Sequence, residues 1–199
     1  LKIDSLKQNL NTLVEFDPFL VFSRLDYLTK NALNSKDFLI FFQENFANFS
    51  EQDVENIIKW YDYNFDGLLS YGEFLNLILS SKARSIISPF NLQFYKRKYN
   101  LSFQIETLLF NILSLEIQLS NQNLLLVQAI KSRFDFSIQK VLSHIGNKEG
   151  ITKEQLKFFM IKYNKNIQDK EIKLIIDRLD IRKKGYITIQ DFYFNFQID

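Results

Sequence analysis

Within twelve residues, Asp62, Asn64, Asp66, Ser70 and Glu73 bring three carboxylates, an amide and a hydroxyl into one short stretch, with Gly67 at its middle. Oxygen donors in this density suit a hard cation, which takes six to eight oxygens in flexible geometry. Other chemistries have little to work with. The chain has no cysteine, which excludes disulfides, thiolate zinc sites and cysteine nucleophiles. Its one histidine, His144, has no ligand-type neighbours in sequence and reads as a packed or exposed side chain. No nucleotide loop, nucleophile elbow or zinc motif is present, and the remaining Asp and Glu residues show no pairing suited to acid–base work. An enzyme is therefore not expected.

The elements that must position these oxygens are legible from periodicity. Val54, Ile57, Ile58 and Tyr61 fall on one helical face before the stretch, and Phe74, Leu77 and Ile78 resume that spacing after it. Ser50 caps the first helix, with Asp53 three residues on as a partial capping box. The order is helix, twelve-residue acidic loop, helix. Three weaker copies share this frame. Val21, Phe22 and Leu25 precede a loop from Asp26 to Asp37, with Phe38, Phe41 and Phe42 beyond it. Ile138, Val141, Leu142 and Ile145 precede a shortened loop from about Gly146 to Gln155, followed by Leu156, Phe159 and Met160. Ile172, Ile175, Ile176 and Leu179 precede a loop from Asp180 to Asp191, then Phe192 and Phe196. One apolar residue recurs late in each loop: Leu33, Leu69, Ile151 and Ile187. Leu33 to Leu69 and Ile151 to Ile187 are both 36 residues, so two paired units are expected.

The pattern D-x-N-x-D-G-x5-E at Asp62–Glu73 resembles the calcium loop of the EF-hand family. The resemblance implies Asp62, Asn64 and Asp66 as side-chain ligands at loop positions one, three and five, with Gly67 at the sharp turn. It implies a backbone carbonyl from Leu68, Ser70 acting directly or through water, and two oxygens from Glu73. Leu69 is expected to point inward and pair in a short strand with Leu33. One Ca²⁺ is the expected cofactor, with Mg²⁺ as competitor. Its dissociation constant should lie at about 10⁻⁷ to 10⁻⁵ M, or roughly 7–10 kcal/mol. The other loops fail. Leu28 and Lys30 stand at ligand positions in the first, the third is two residues short with Lys148 where an acid belongs, and Arg182 and Lys184 replace ligands in the fourth. Arg182 and Lys184 are expected to neutralise Asp180 and Asp191, holding that loop shut without metal.

The expected fold is all-α: two EF-hand pairs, four helix–loop–helix units in all, joined by a long helical connector. The N-terminal pair covers residues 9–81, the connector 82–133 and the C-terminal pair with degenerate loops 134–199. Within the connector, Ser88-Pro89 should break a helix. Ile105, Leu108, Leu109, Ile112, Leu115 and Leu119 then form one apolar stripe. Leu124, Val127, Ile130 and Phe134 form a second after the polar interruption Ser120–Asn123, so two or three helices packed on a lobe or a partner are expected.

At 199 residues, 46% hydrophobic and 24% charged, the chain has the composition of a globular protein. A net charge of +2 gives no support to nucleic-acid binding, and the small cluster Lys96-Arg97-Lys98 reads as a solvated face. No apolar run reaches the length of a membrane span and no secretory signal is visible, so a cytoplasmic setting is expected. The first residue is Leu1 rather than methionine, and a natural start upstream of it is the expectation. Twenty-one phenylalanines against one methionine, Met160, give stiff apolar faces unlike the methionine-rich grooves of promiscuous calmodulin-like sensors. Isoleucine, asparagine and lysine are frequent, as in proteins of AT-rich protist genomes. The resemblance then extends to EF-hand-pair subunits of cilia, axonemes and related cytoskeleton, including microtubule inner proteins. It implies a protein partner in a stable multi-protein cytoskeletal assembly. A free calcium sensor that exposes an N-terminal groove to a target is one alternative, and the regulatory part of a calcium-dependent enzyme is another.

Overall fold

The computed structural model describes residues 2–80, 82–83, 101–133, 135, 137–147, 149–163 and 165–195. The expected break at Ser88-Pro89, the cluster Lys96-Arg97-Lys98, Phe134, Lys148 and Phe196 lie outside the described residues. The described chain is mostly helical and divides into two units, residues 2–123 and 124–199.

In the first unit, α1 (Lys2–Asn11) precedes α2 (Pro18–Leu25), α3 (Ser35–Glu44), α4 (Glu51–Tyr61) and α5 (Tyr71–Ile78). Helix α1 is an addition to the elements read from sequence. Local chemistry sets the starts. Asp17 accepts the Phe19 N–H at 2.8 Å, and Pro18 stands in the first turn, where its missing N–H costs nothing. The Ser50–Asp53 capping box forms as expected, and Asn34–Asp37 and Ser70–Glu73 form two more. Strands β1 (Ala32–Leu33) and β2 (Leu69–Ser70) pair antiparallel, with Leu33 opposite Leu69, as the sequence anticipates. Phe38, Phe41, Phe42 and Phe74 are fully buried beside them, and Phe22 meets Phe74 and Tyr71 edge to face.

The sequence expects a helix break at Ser120–Asn123, and the structure has none: α6 runs unbroken from Phe103 to Lys131. Ser and Asn are weak helix formers but not breakers, Gln122 is a good helix former, and the stretch lacks proline and glycine. Its polarity has another use. Asn121 donates to Asp53 at 2.6 Å and accepts from Asn56 at 2.9 Å, fastening α6 to α4. The buried stripe is also rotated from the expected one. Ile105, Leu109, Ile112, Leu113, Glu116 and Ile117 are buried, whereas Leu115 and Leu119 are half-buried. The five aliphatic side chains join the core formed by α2 to α5, each worth about 1.5–3 kcal/mol against exposure. Glu116 is tolerated there because Lys7 of α1, itself buried, pairs with it at 2.7 Å. Arg24 of α2 binds Glu44 of α3 at 2.6 Å and Glu106 of α6 at 2.7 Å, closing the rim of the same interface.

The second unit contains α7 (Ile138–Ile145), α8 (Lys153–Lys162), α9 (Asp169–Leu179) and α10 (Ile189–Asn195). Its core is small: Ile138, Leu142, Ile151, Leu156, Ile172, Ile176, Ile187 and Phe192. Ile151 and Ile187 exchange both backbone hydrogen bonds, at 2.8 and 3.0 Å, in the place Leu33 and Leu69 take in the first unit. Gly150 is required there, since its φ is +148° and a Cβ would stand 2.2 Å from the Ile187 carbonyl oxygen. Asn195 ties α10 to α9 by donating to the Leu179 carbonyl at 3.0 Å. Among the described residues, no helix is long and apolar enough to cross a membrane.

Candidate cation loop

Residues 62–73 join α4 to α5. Asp62 terminates α4, donating its N–H to the Ile58 carbonyl at 2.8 Å, and its buried carboxylate faces back into the loop. There it accepts the N–H of Gly67 at 2.8 Å and of Asp66 at 3.3 Å. Gly67 adopts a φ of +79°, which bends the chain at the middle of the loop, and Phe65 before it is also left-handed at +61°. Asn64 accepts the Asp66 N–H at 3.0 Å and donates to the Asp66 carboxylate at 2.9 Å, while Asp66 accepts the Leu68 N–H at 2.9 Å. Asn64, Asp66 and Leu68 are exposed. At the far end the buried Glu73 accepts from Ser70 N–H and Oγ, at 2.9 and 2.6 Å, and from the Tyr63 N–H at 2.9 Å. Both loop ends are thus carboxylates satisfied by backbone donors. Tyr71, adjoining Ser70, has its phenol pushed up to about 12 by burial, with the negative charge of Asp17 adding to it.

Among the described residues, no three acidic, histidine or cysteine side chains converge as a metal cluster. Glu73 uses both oxygens within its own loop, one capping α5 through Ser70 and the other accepting the Tyr63 N–H. The donor set itself fits a hard divalent ion: every candidate is an oxygen, two carboxylates are buried at the loop ends, and Gly67 already bends the backbone between them. The residues implied as ligands are Asp62, Asn64, Asp66, the Leu68 carbonyl, Ser70 and Glu73.

The fourth loop reproduces this skeleton with the opposite charge. Asp180 accepts the N–H groups of Lys184 and Gly185 at 3.0 and 2.6 Å, and Asp191 accepts those of Thr188 and Ile181 at 2.7 and 3.2 Å. Lys183 and Gly185 repeat the left-handed pair of Phe65 and Gly67. The expected neutralisation by Arg182 and Lys184 is not what the structure has. Among the described residues, neither Arg182 nor Lys184 forms an ion pair with Asp180 or Asp191. The loop is closed by its own backbone donors instead. In the third loop the Asn147 side chain accepts the N–H groups of Glu149 and Gly150.

It is in the first loop that a side-chain cation reaches a loop-end carboxylate. Lys30 Nζ lies 2.7 Å from Asp37 Oδ2. The sequence marks Lys30 only as a missing ligand. The available signal is a cation at loop position five between acids at both ends, which Lys30 in the first loop shares with Lys184 in the fourth. His144 is exposed, with Nε2 3.0 Å from the Tyr163 hydroxyl and its ring against Phe159, which is a surface packing role.

No protein-family model matches the chain, and no curated protein is similar to it in sequence. Among solved structures, it is similar to a homolog of programmed cell death 6 protein from Leishmania major Friedlin. The identity is 11% and the TM-score 0.30, over 89% of this chain and 72% of that chain. At that level the likeness establishes neither fold nor function.

Proposed function

We propose that this chain is a non-enzymatic EF-hand protein built from two hand pairs, which binds one Ca²⁺ in the loop Asp62–Glu73. We place it as an interaction subunit of a larger protein assembly, for which ciliary microtubules are the case the resemblance suggests. When bound, the ion supplies a fixed positive centre that neutralises the three carboxylates; Asp62, Asn64, Asp66, Ser70, Glu73 and the Leu68 carbonyl would hold it. The observation that carries the subunit reading is the docking of α6. The apolar face that a sensor would open to a target is already filled by Ile105, Leu109, Ile112, Leu113 and Ile117, and sealed by the Lys7–Glu116 pair. An ion in the neighbouring loop then stabilises a completed unit, whereas a free sensor would have to expel its own helix.

Trp60, two residues before the loop and half-buried against the core, is a local reporter. Calcium titration should saturate its fluorescence change at one equivalent, raise the melting temperature and leave binding of the apolar dye 8-anilinonaphthalene sulfonate unchanged. Glu73→Gln should abolish the response. A calcium-dependent rise in dye binding would favour the sensor reading, and no binding at all would remove calcium from the function.

A further inference from the structure

We propose that the Lys30 ammonium is the resident cation of the first loop, a positioning residue that orders the first unit for its single exchangeable ion. The part concerning the exchangeable ion rests on the function proposed above. The first and second loops share their backbone course. Thr29 and Asn31 are left-handed at +54° and +62°, where the second loop has Phe65 and Gly67 at +61° and +79°. Asp26 accepts the N–H groups of Lys30 and Asn31 at 2.9 and 2.7 Å, as Asp62 accepts those of Asp66 and Gly67. Asp37 accepts the Asn34 N–H at 2.7 Å, as Glu73 accepts that of Ser70.

The difference is in what joins the two ends. In the second and fourth loops the carboxylate at the last position accepts the N–H of the loop's second residue. In the first, Lys30 joins the two ends through its own backbone and side chain. Its backbone N–H is on Asp26 and its ammonium on Asp37, 2.7 Å away, so one residue holds both ends. Asp26 and Asp37 are both buried, so two negative charges would otherwise stand in the loop with no positive partner shown beside them. Lysine's compact, fully charged head on a flexible stem lets it sit where a metal ion would. The coupling route is short: Ala32 and Leu33, two and three residues beyond Lys30, pair with Ser70 and Leu69 inside the second loop.

The test uses the full chain and three variants. In chelator, Lys30→Met should lower the melting temperature by about 3–6 °C, and Lys30→Arg, which keeps the charge, should restore most of it. With calcium, Lys30→Met should weaken binding at the second loop about five- to tenfold, the low end of the usual coupling between sites. Leu28→Asp combined with Lys30→Asp supplies oxygens at positions three and five. That variant should take up a second equivalent of calcium by titration calorimetry, a gain that a merely structural lysine does not predict. A melting temperature for Lys30→Met equal to wild type in chelator would overturn the proposal. So would a folded double variant that still binds one equivalent while the wild type binds one. If the wild type binds no calcium, the calcium reading fails separately, and the chelator measurements on Lys30→Met and Lys30→Arg decide the role of Lys30.

Discussion

The two units of this chain start from the same hydrophobic spacing and reach different degrees of burial. In residues 2–123, α2 to α5 are completed by α1 and α6, and aromatic and aliphatic side chains are sealed around Leu33 and Leu69. In residues 124–199, the equivalent Ile151–Ile187 pair holds a core of eight buried apolar side chains, while Val141, Ile145, Met160 and Ile175 remain half-buried. Phe158 and Ile161 of α8 are exposed. The lesson is that a helix–loop–helix pair specifies a face but does not cover it. In the first unit the cover is supplied by α6, and with it comes a buried ion pair that no pattern of apolar residues would reveal.

The largest effect should come from breaking that cover at its charged point. Glu116→Ala removes the carboxylate facing the buried Lys7 ammonium and should destabilise the first unit by about 3–5 kcal/mol. Combining Lys7→Met with Glu116→Leu should recover most of the loss, because apolar replacements of similar size remove both desolvation penalties. Urea unfolding followed by Trp60 fluorescence measures both. If the single variant falls within about 0.5 kcal/mol of wild type, the ion pair does not hold α6 in place.

A smaller effect separates the two cores. Leu109 is fully buried at 0% exposure, whereas Leu156 of the second unit keeps 9%. Leu109→Ala should therefore cost toward the upper end of the about 2–5 kcal/mol range for buried leucine, and Leu156→Ala toward the lower end. Leu156→Ala should also leave the Trp60-monitored transition of the first unit closer to wild type. Equal costs at the two sites would mean that the second core is as tightly packed as the first.

These contrasts mark what the sequence could and could not disclose. Helical faces and the Ser50 cap are local consequences of spacing and side-chain chemistry, and the Leu33–Leu69 pairing follows from the repeat of the loop, so each is readable. The acidic loop was readable for the same reason, since its twelve residues carry the whole pattern. Long-range side-chain pairings outside that repeat are not. Glu116 looks like a solvated residue until Lys7, far away in sequence, is placed against it. Ser120–Asn123 looks like a break until Asn121 is seen to bridge Asp53 and Asn56. Arg182 and Lys184 looked like internal counterions, yet the backbone N–H groups of Ile181, Lys184, Gly185 and Thr188 serve the carboxylates of that loop. Lys30 plays that part in the first loop, where geometry rather than residue type decides.

The smallest expected effect lies where α6 is fastened to α4. Asp53 accepts the Ser50 hydroxyl at 2.7 Å, which holds its carboxyl below the usual range against the opposing effect of partial burial. The Ser50 N–H at 3.0 Å and the Asn121 amide add to the lowering. A carboxyl lowered in the folded state contributes stability that is fully present above its unfolded value of 3.8 and is lost as pH falls through the lower folded value. Asp53→Asn keeps an acceptor oxygen but removes the charge, and should cost no more than about 0.5 kcal/mol at neutral pH, because solvent screens this partly exposed carboxylate. That difference should shrink as the pH is taken below 3.8, because protonation makes the wild-type side chain neutral too. Urea midpoints of the two proteins at neutral and acid pH measure it. A gap that stays constant would mean that Asp53 acts through shape alone, and that the α4–α6 junction is held by the Asn56–Asn121 hydrogen bond rather than by the charge on Asp53.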